Sequence, residues 1–240
     1  MKRIFVPTSS ASDWHRLLAS PTLHWKRGHS AMAAAACWEA SDPALPAEIT
    51  ATLDASTDPD LVDLQLLAAI PEWETALPGG ARATHTDVLA LTGNPRGLAV
   101  LTVEAKVDES FGPTIGAKRT SASPGQTERL AYMEQVLGLS APLADAIRYQ
   151  LLHRTVAAAL NARAFHAHVG VMLVHSFSPS GKWRADFEAF MDALSAQQRT
   201  PDLWELTMPA GPRLFAGWCK GASKYLDVAL PSSLEASRSC

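Results

Sequence analysis

Cysteine is scarce in this 240-residue chain: three residues, Cys37, Cys219 and Cys240, without paired spacing or a C-x-x-C. That excludes a disulfide framework and a zinc knuckle, and the three are expected as free thiols. Long hydrophobic runs are missing as well. Nothing approaches the roughly 18 to 20 apolar residues of a membrane span, and in "MKRIFVPTSS" the apolar stretch is cut by Pro7, too short for a secretory signal. A cytoplasmic protein without membrane contact is therefore expected. Positive charge is in deficit, with 21 Lys and Arg against 24 Asp and Glu, a net −3. Coating nucleic acid non-specifically needs many cationic contacts to phosphate, so any nucleic-acid reading must rest on a local site. Aromatic residues make up only 7% of the chain, whereas hydrophobic residues reach 47% and charged ones 19%, which suits one soluble domain with a sizeable core.

The expected organisation is a single α/β domain over 1–230, with a core at about 29–177, a C-terminal extension at 178–230 and a frayed tail at 231–240. "SASDWHRLLA" reads as a capped helix, and "GHSAMAAAACWEAS" as an alanine-rich one stopped by Pro43 and Pro46. "AEITATLDAS" and "LVDLQLLAAI" suggest two further helical segments, followed by a short strand at 72–77. "THTDVLALTGNPRGLAVLTVEAKV" is two β-rich runs about a "GNPRG" turn, hence an antiparallel hairpin whose second strand is apolar on both faces, as a central strand is. Residues 108–125 read as a long loop and "QTERLAYMEQVLGL" as a helix. "PLADAIRYQLLHRTVAAALNARAF" is a longer helix, "HVGVMLVHSF" a buried strand and "WRADFEAFMDALSAQ" a helix. "LWELTM" and "RLFAGWCKG" close the series as two strands.

Within the hairpin, Glu104 and Lys106 lie two apart and share a face, opposite Val103, Ala105 and Val107. Composition alone yields an acidic-x-Lys triplet about 0.7 times in such a chain, so context must carry it. With the turn centred near Pro95, position 87 pairs with about 103, which brings Asp87 within reach of Glu104. Two carboxylates so placed repel one another unless a cation separates them, and a hard divalent ion is the usual resolution. Lys106 adds a mobile cationic donor beside it.

Asp87, sixteen residues, then Glu104-Ala105-Lys106, between two helices, resembles the PD-(D/E)xK nuclease superfamily. Its restriction-endonuclease-like core runs helix, three strands, helix, strand. The match covers about 29–177, and the layout of the whole chain is similar to that of an uncharacterised bacterial family. The resemblance implies a three-layer sandwich in which a central mixed sheet is flanked by helices, with added N-terminal helices and C-terminal strands. It implies Mg²⁺ (or Mn²⁺) held by Asp87, Glu104 and the Ala105 carbonyl, with Lys106 positioning the attacking water. It also implies an acid on the first helix, for which Glu39 is the candidate, and a Gln on the helix after the third strand. "RYQLLHR" supplies Gln150, with Arg154 one turn on, similar to RecB-like and lambda-exonuclease-like branches. Thr86 stands where the superfamily commonly has Pro. A Mg²⁺-dependent phosphodiester hydrolase acting on DNA rather than RNA is the function implied; a homodimer or a protein partner is compatible with it.

Other residues have plainer readings. Arg154 and Gln150 could form a surface pair, since i,i+4 polar neighbours are routine, or contact phosphate. Lys118 and Arg119 sit in the 108–125 segment, which would close over substrate or track a phosphate backbone. Glu109 reads as a loop acid and His85 as a strand-edge histidine. His166, His168 and His175 find no carboxylate or cysteine placed to complete a metal set. "SPSGKW" lacks the remainder of a phosphate-binding loop, and Trp183, Phe187 and Phe190 read as core. The alternatives to a nuclease are a scaffold that keeps the architecture with Glu104 and Lys106 as a plain ion pair, and a metal-dependent hydrolase of a small phosphorylated substrate.

Overall fold

The computed structural model describes residues 4, 8, 10–80 and 83–231; the expected frayed tail, with Cys240, lies almost wholly outside them, as does most of the opening "MKRIFVPTSS". The chain is mixed α/β: a seven-stranded mixed sheet flanked by helices. A 3-10 helix at Ala11–Leu17 and a four-residue helix α1 (Pro21–His24) precede α2 (Ser30–Ser41) and α3 (Ala47–Asp54). Strands β1 (Gln65–Thr75), β2 (Thr84–Asn94) and β3 (Gly97–Lys106) follow, then α4 (Ile115–Thr120), α5 (Pro124–Val136) and α6 (Tyr149–Ala164). The remainder is β4 (Val169–Ser176), α7 (Arg184–Ala193), β5 (Gln197–Thr200), β6 (Leu203–Leu206) and β7 (Arg213–Lys220). In space the strands run β1-β2-β3-β4-β7-β6-β5, with β3, β4 and β7 mutually parallel and the outer pairs antiparallel.

The hairpin is as expected. Pro95 and Arg96 form its turn between Asn94 and Gly97, where Gly97 takes φ +136, a conformation that side chains oppose. β3 is buried on both faces. Ala99, Leu101, Val103 and Ala105 join the core beneath α2 and α3, whereas Val100, Thr102, Glu104 and Lys106 are buried on the α6 side. The alanines of α2 and α6 bring both helices close to the sheet: Ala33–Cys37 are buried on one face and Ala157–Ala159 with Ala162 on the other. A Cβ at Gly170 of β4 would stand 2.9 Å from the Ala158 carbonyl, so only glycine permits this approach of α6.

Four expectations change. Residues 61–69 are not helical: from Gln65 onward they belong to an eleven-residue strand that extends the expected strand at 72–77 back to Gln65, and they pair with β2 around a bulge at Leu66/Ala68. Leucine and alanine favour helix intrinsically, but pairing with an available β2 edge outweighs a propensity of tenths of a kcal/mol per residue. The long helix begins at Tyr149, not near Pro142, and the 108–125 loop contains α4, capped by Thr114. Beside the two expected C-terminal strands stands a third, β5. Among the described residues, no helix is long and apolar enough to cross a membrane.

Candidate active site

The hairpin register places Val88 opposite Val103, one position from the expected pairing. Since side chains alternate along a strand, that one position decides the face. Asp87 thereby stands level with Glu104 and on its side of the sheet. Paired main chain between β2 and β3 ends at Val88 and Val103, and beyond this point the Asp87 Oδ2 accepts the Ala105 amide at 2.7 Å. On the other flank β1 pairs Pro71 with Val88 and Trp73 with Thr86, so Glu72 lies opposite Asp87. Three carboxylates, Glu72, Asp87 and Glu104, therefore cross three neighbouring strands at one level. Glu72 takes φ +52, a left-handed conformation that is costly for a non-glycine residue and concentrates at functional positions.

Glu104 is the best held of the three. Its Oε1 accepts Lys106 Nζ at 2.6 Å and Gln150 Nε2 at 2.7 Å, and its Oε2 accepts Arg154 Nε at 2.5 Å. Arg154 is fixed in turn by donating to Thr84 Oγ1 at 2.7 Å, which leaves the Thr84 proton for His153 Nδ1 at 2.6 Å. Burial and the neighbouring Arg154 charge hold His153 well below the usual imidazole range, in keeping with a neutral ring that accepts this proton. Gln150 and Arg154 share one face of the first two turns of α6, as the i,i+4 spacing requires. Lys106 Nζ also lies 5.3 Å from the Phe111 ring centroid.

The electrostatics divide the acids. Burial raises the Glu104 carboxyl, but Arg154 and Lys106 outweigh it and hold the group at about 2. Asp87 is pushed up to about 7 by burial and the Glu104 charge, which the Arg154 and Lys106 charges offset only in part. Glu72 is pushed to about 9 by burial and by Asp87 and Glu104 together. The Glu72–Asp87 flank is thus short of positive charge, and its free donors are carboxylate oxygens. The acids line a cleft of about 490 Å³ together with Trp14, Leu18, Trp25, Phe111, Lys118 and Tyr149.

Not every expected site residue arrives here. Asp87, Glu104, Lys106, Gln150, Arg154 and Lys118 all line the cleft, and Ala105 lies between two of them with its methyl in the opposite core. Glu39 does not. It sits in the last turn of α2, about 7.5 Å along the axis from Ala34, which does line the cleft, and its Oε1 accepts Trp14 Nε1 at 2.9 Å and Thr8 Oγ1 at 3.1 Å. The third acid of the row is Glu72, on β1. Arg119 is also absent from the lining: its guanidinium donates to the Leu143 carbonyl, Asp145 and Glu134, and so ties α4 to α5 and the segment before α6. Glu109 is a cap, accepting the Ser30 amide at the start of α2 and the Val107 amide, each at 2.9 Å. His85 lines the cleft near its rim, 3.6 Å from Glu74.

On the opposite face of the sheet, the structure brings together a group whose partners are far apart in sequence. His175 Nε2 lies 3.0 Å from Glu48 Oε1, and Cys37 Sγ 3.5 Å from the same oxygen, with ligand atoms of all three within 4.8 Å of one another. A carboxylate and a cysteine do stand beside His175, contrary to expectation. The Ala222 amide, 3.4 Å away, is a third donor to that Glu48 oxygen, so Glu48 acts as a hub joining α2, α3, β4 and the segment after β7. Burial and the Glu48 charge push the Cys37 thiol far up, which keeps it protonated and unreactive.

No curated protein and no solved structure matches the chain. A family model does: residues 7–223, spanning the whole sheet and both walls of the cleft, match the domain of unknown function DUF6946, and the chain belongs to that family.

Proposed function

We propose that the chain is a divalent-metal-dependent phosphodiester hydrolase, a nuclease of the PD-(D/E)xK type with a restriction-endonuclease-like core, acting on DNA. The observation that carries this reading is the level row Glu72, Asp87, Glu104, set where β2 and β3 part, with Lys106 two residues beyond Glu104 in the same cleft. The order of α2, β1, β2, β3, α6 and β4 supports it, with α3 to α5 as insertions.

Asp87, Glu104 and the Ala105 carbonyl would hold the cation, with Glu72 as the further acid. A bound Mg²⁺ or Mn²⁺ supplies Lewis-acid stabilisation of charge on the phosphoryl oxygens and acidifies water. The chain's own residues perform the rest. Lys106, held by Glu104 and against Phe111, is placed to orient a water and to offset negative charge as the phosphoryl group is attacked. Arg154 and Gln150 position: they fix the Glu104 carboxylate from the helix side, and Thr84 and His153 fix Arg154. A scaffold is the competing reading, favoured by the fact that both Glu104 oxygens already carry hydrogen bonds within the chain.

Calorimetric titration with Mn²⁺, comparing wild type with Asp87→Asn and Glu72→Gln, separates the two. The nuclease reading expects binding that both variants weaken, and Mn²⁺-dependent hydrolysis of an oligonucleotide that Lys106→Ala suppresses. Absence of Asp87-dependent binding would leave the scaffold.

A further inference from the structure

The cleft that holds the acids is also lined by aromatic side chains, Trp14, Trp25, Phe111 and Tyr149. Trp25 is half-buried at the rim, with its indole Nε1 donating to the Leu230 carbonyl at 3.2 Å, which fixes the ring. The half-buried Tyr149 also lines the cleft, its ring 5.0 Å from that of His153. The volume of about 490 Å³ is that of a small-ligand site. Cations are few. Of the lysines and arginines lining the cleft, Lys106 and Arg154 are bonded to Glu104, and Lys118 lies 5.2 Å over the Tyr149 ring. Duplex binding rests on several phosphate contacts, and the net charge of −3 adds none at long range. Flat aromatic faces serve a substrate whose bases are exposed, because in a duplex those bases are stacked on one another.

We propose that the cleft takes an unpaired nucleotide, its phosphodiester over Glu72, Asp87 and Glu104, its base against Trp25, and its neighbouring phosphate near Lys118. The proposal rests on the nuclease reading for the direction in which the phosphate points; the binding class stands on the walls. Single-stranded DNA is the intended source, and a small free phosphodiester would share the same chemistry.

The test measures binding and cleavage separately. Fluorescence anisotropy in Ca²⁺ compares a short labelled single strand, the blunt duplex of the same sequence and, by competition, a dinucleotide. The single strand should bind at least about tenfold tighter than the duplex, the worth of one stacked base, and Trp25→Ala should remove about that factor while Trp25→Phe, which keeps a stacking face, restores most of it. The slope of log K against log salt should be shallow, and Lys118→Ala should reduce it by about 0.7, one phosphate contact. Equal or tighter duplex binding, no binding of the single strand, or an unchanged affinity in Trp25→Ala would overturn the proposal. A dinucleotide that competes as well as the oligonucleotide assigns the site to small diesters and overturns the strand as source. Cleavage is then followed in Mn²⁺: a bound but uncut single strand defeats the nuclease reading and leaves the ligand class standing, whereas cutting of blunt duplex at the single-strand rate defeats the ligand class and leaves the nuclease.

Discussion

Asp87 and Ala105 are joined by a side-chain bond at the point where main-chain pairing between their strands has ended: the aspartate Oδ2 takes the alanine amide at 2.7 Å. This bond holds one acid level with Glu104 while its strand turns toward β1 and Glu72. One oxygen of Asp87 is thereby taken up by the fold.

Ionising that row should cost stability. The Asp87 carboxyl rises from 3.8 to about 7 and that of Glu72 from 4.5 to about 9, so above pH 4.5 the unfolded chain sheds protons that the folded chain keeps. Stability then falls as pH rises, until about 7 for Asp87 and about 9 for Glu72. In chelator, the thermal midpoint should decline across this window, and Asp87→Asn should flatten the decline and raise the midpoint at its alkaline end by a few degrees. A midpoint independent of pH in wild type would contradict the placement of these acids.

Glu72 and Glu39 can be told apart by one pair of variants. Glu72→Gln should lower kcat/KM for Mn²⁺-dependent hydrolysis by more than about 100-fold, beyond the range found for residues that merely support a ligand. Glu39→Gln, which keeps an amide oxygen to accept the Trp14 indole at a residue outside the cleft lining, should leave it unchanged. The reverse ranking would return the third acid to α2.

Lys106→Ala should reduce kcat about 10²- to 10⁴-fold, the span typical of a positioned proton-handling group, with Mn²⁺ affinity retained. Glu104 keeps its bonds to Arg154 and Gln150 in that variant, so circular dichroism should report an intact fold. Loss of Mn²⁺ affinity in parallel with kcat would make Lys106 structural.

Across the sheet, Glu48→Ala strands three donors, the Cys37 thiol, His175 and the Ala222 amide. Urea denaturation should show a loss of about 1–3 kcal/mol with hydrolysis little altered. Burial opposes ionisation of Glu48, but His175 outweighs it and holds the group at about 2 rather than 4.5, so its contribution is present above pH 4.5 and disappears as pH falls through about 2. Acid unfolding should accordingly begin at higher pH in the variant.

Arg119→Ala should lower the thermal midpoint, because three bonds between α4 and its neighbours are lost, and leave the salt dependence of oligonucleotide binding as in wild type. A change in that slope would move Arg119 into the substrate path.

Local pattern alone determined the elements whose information is local. The Asn-Pro turn and the doubly apolar run indicated the β2–β3 hairpin and brought Asp87 near Glu104, while the register that sets the two on one face lies one position from the expected pairing; the i,i+4 spacing put Gln150 and Arg154 on one face of α6. Tertiary structure decided whatever depends on pairing between distant segments. Residues 65–69 became strand because the edge of β2 was there to pair with, and that pairing, through its register, delivered Glu72 to the acids and left Glu39 behind. His175 acquired Glu48, 127 positions earlier, in the same way. Spacing along a chain fixes which side chains share a face, but only the register between strands and the packing of helices on them fixes which faces meet.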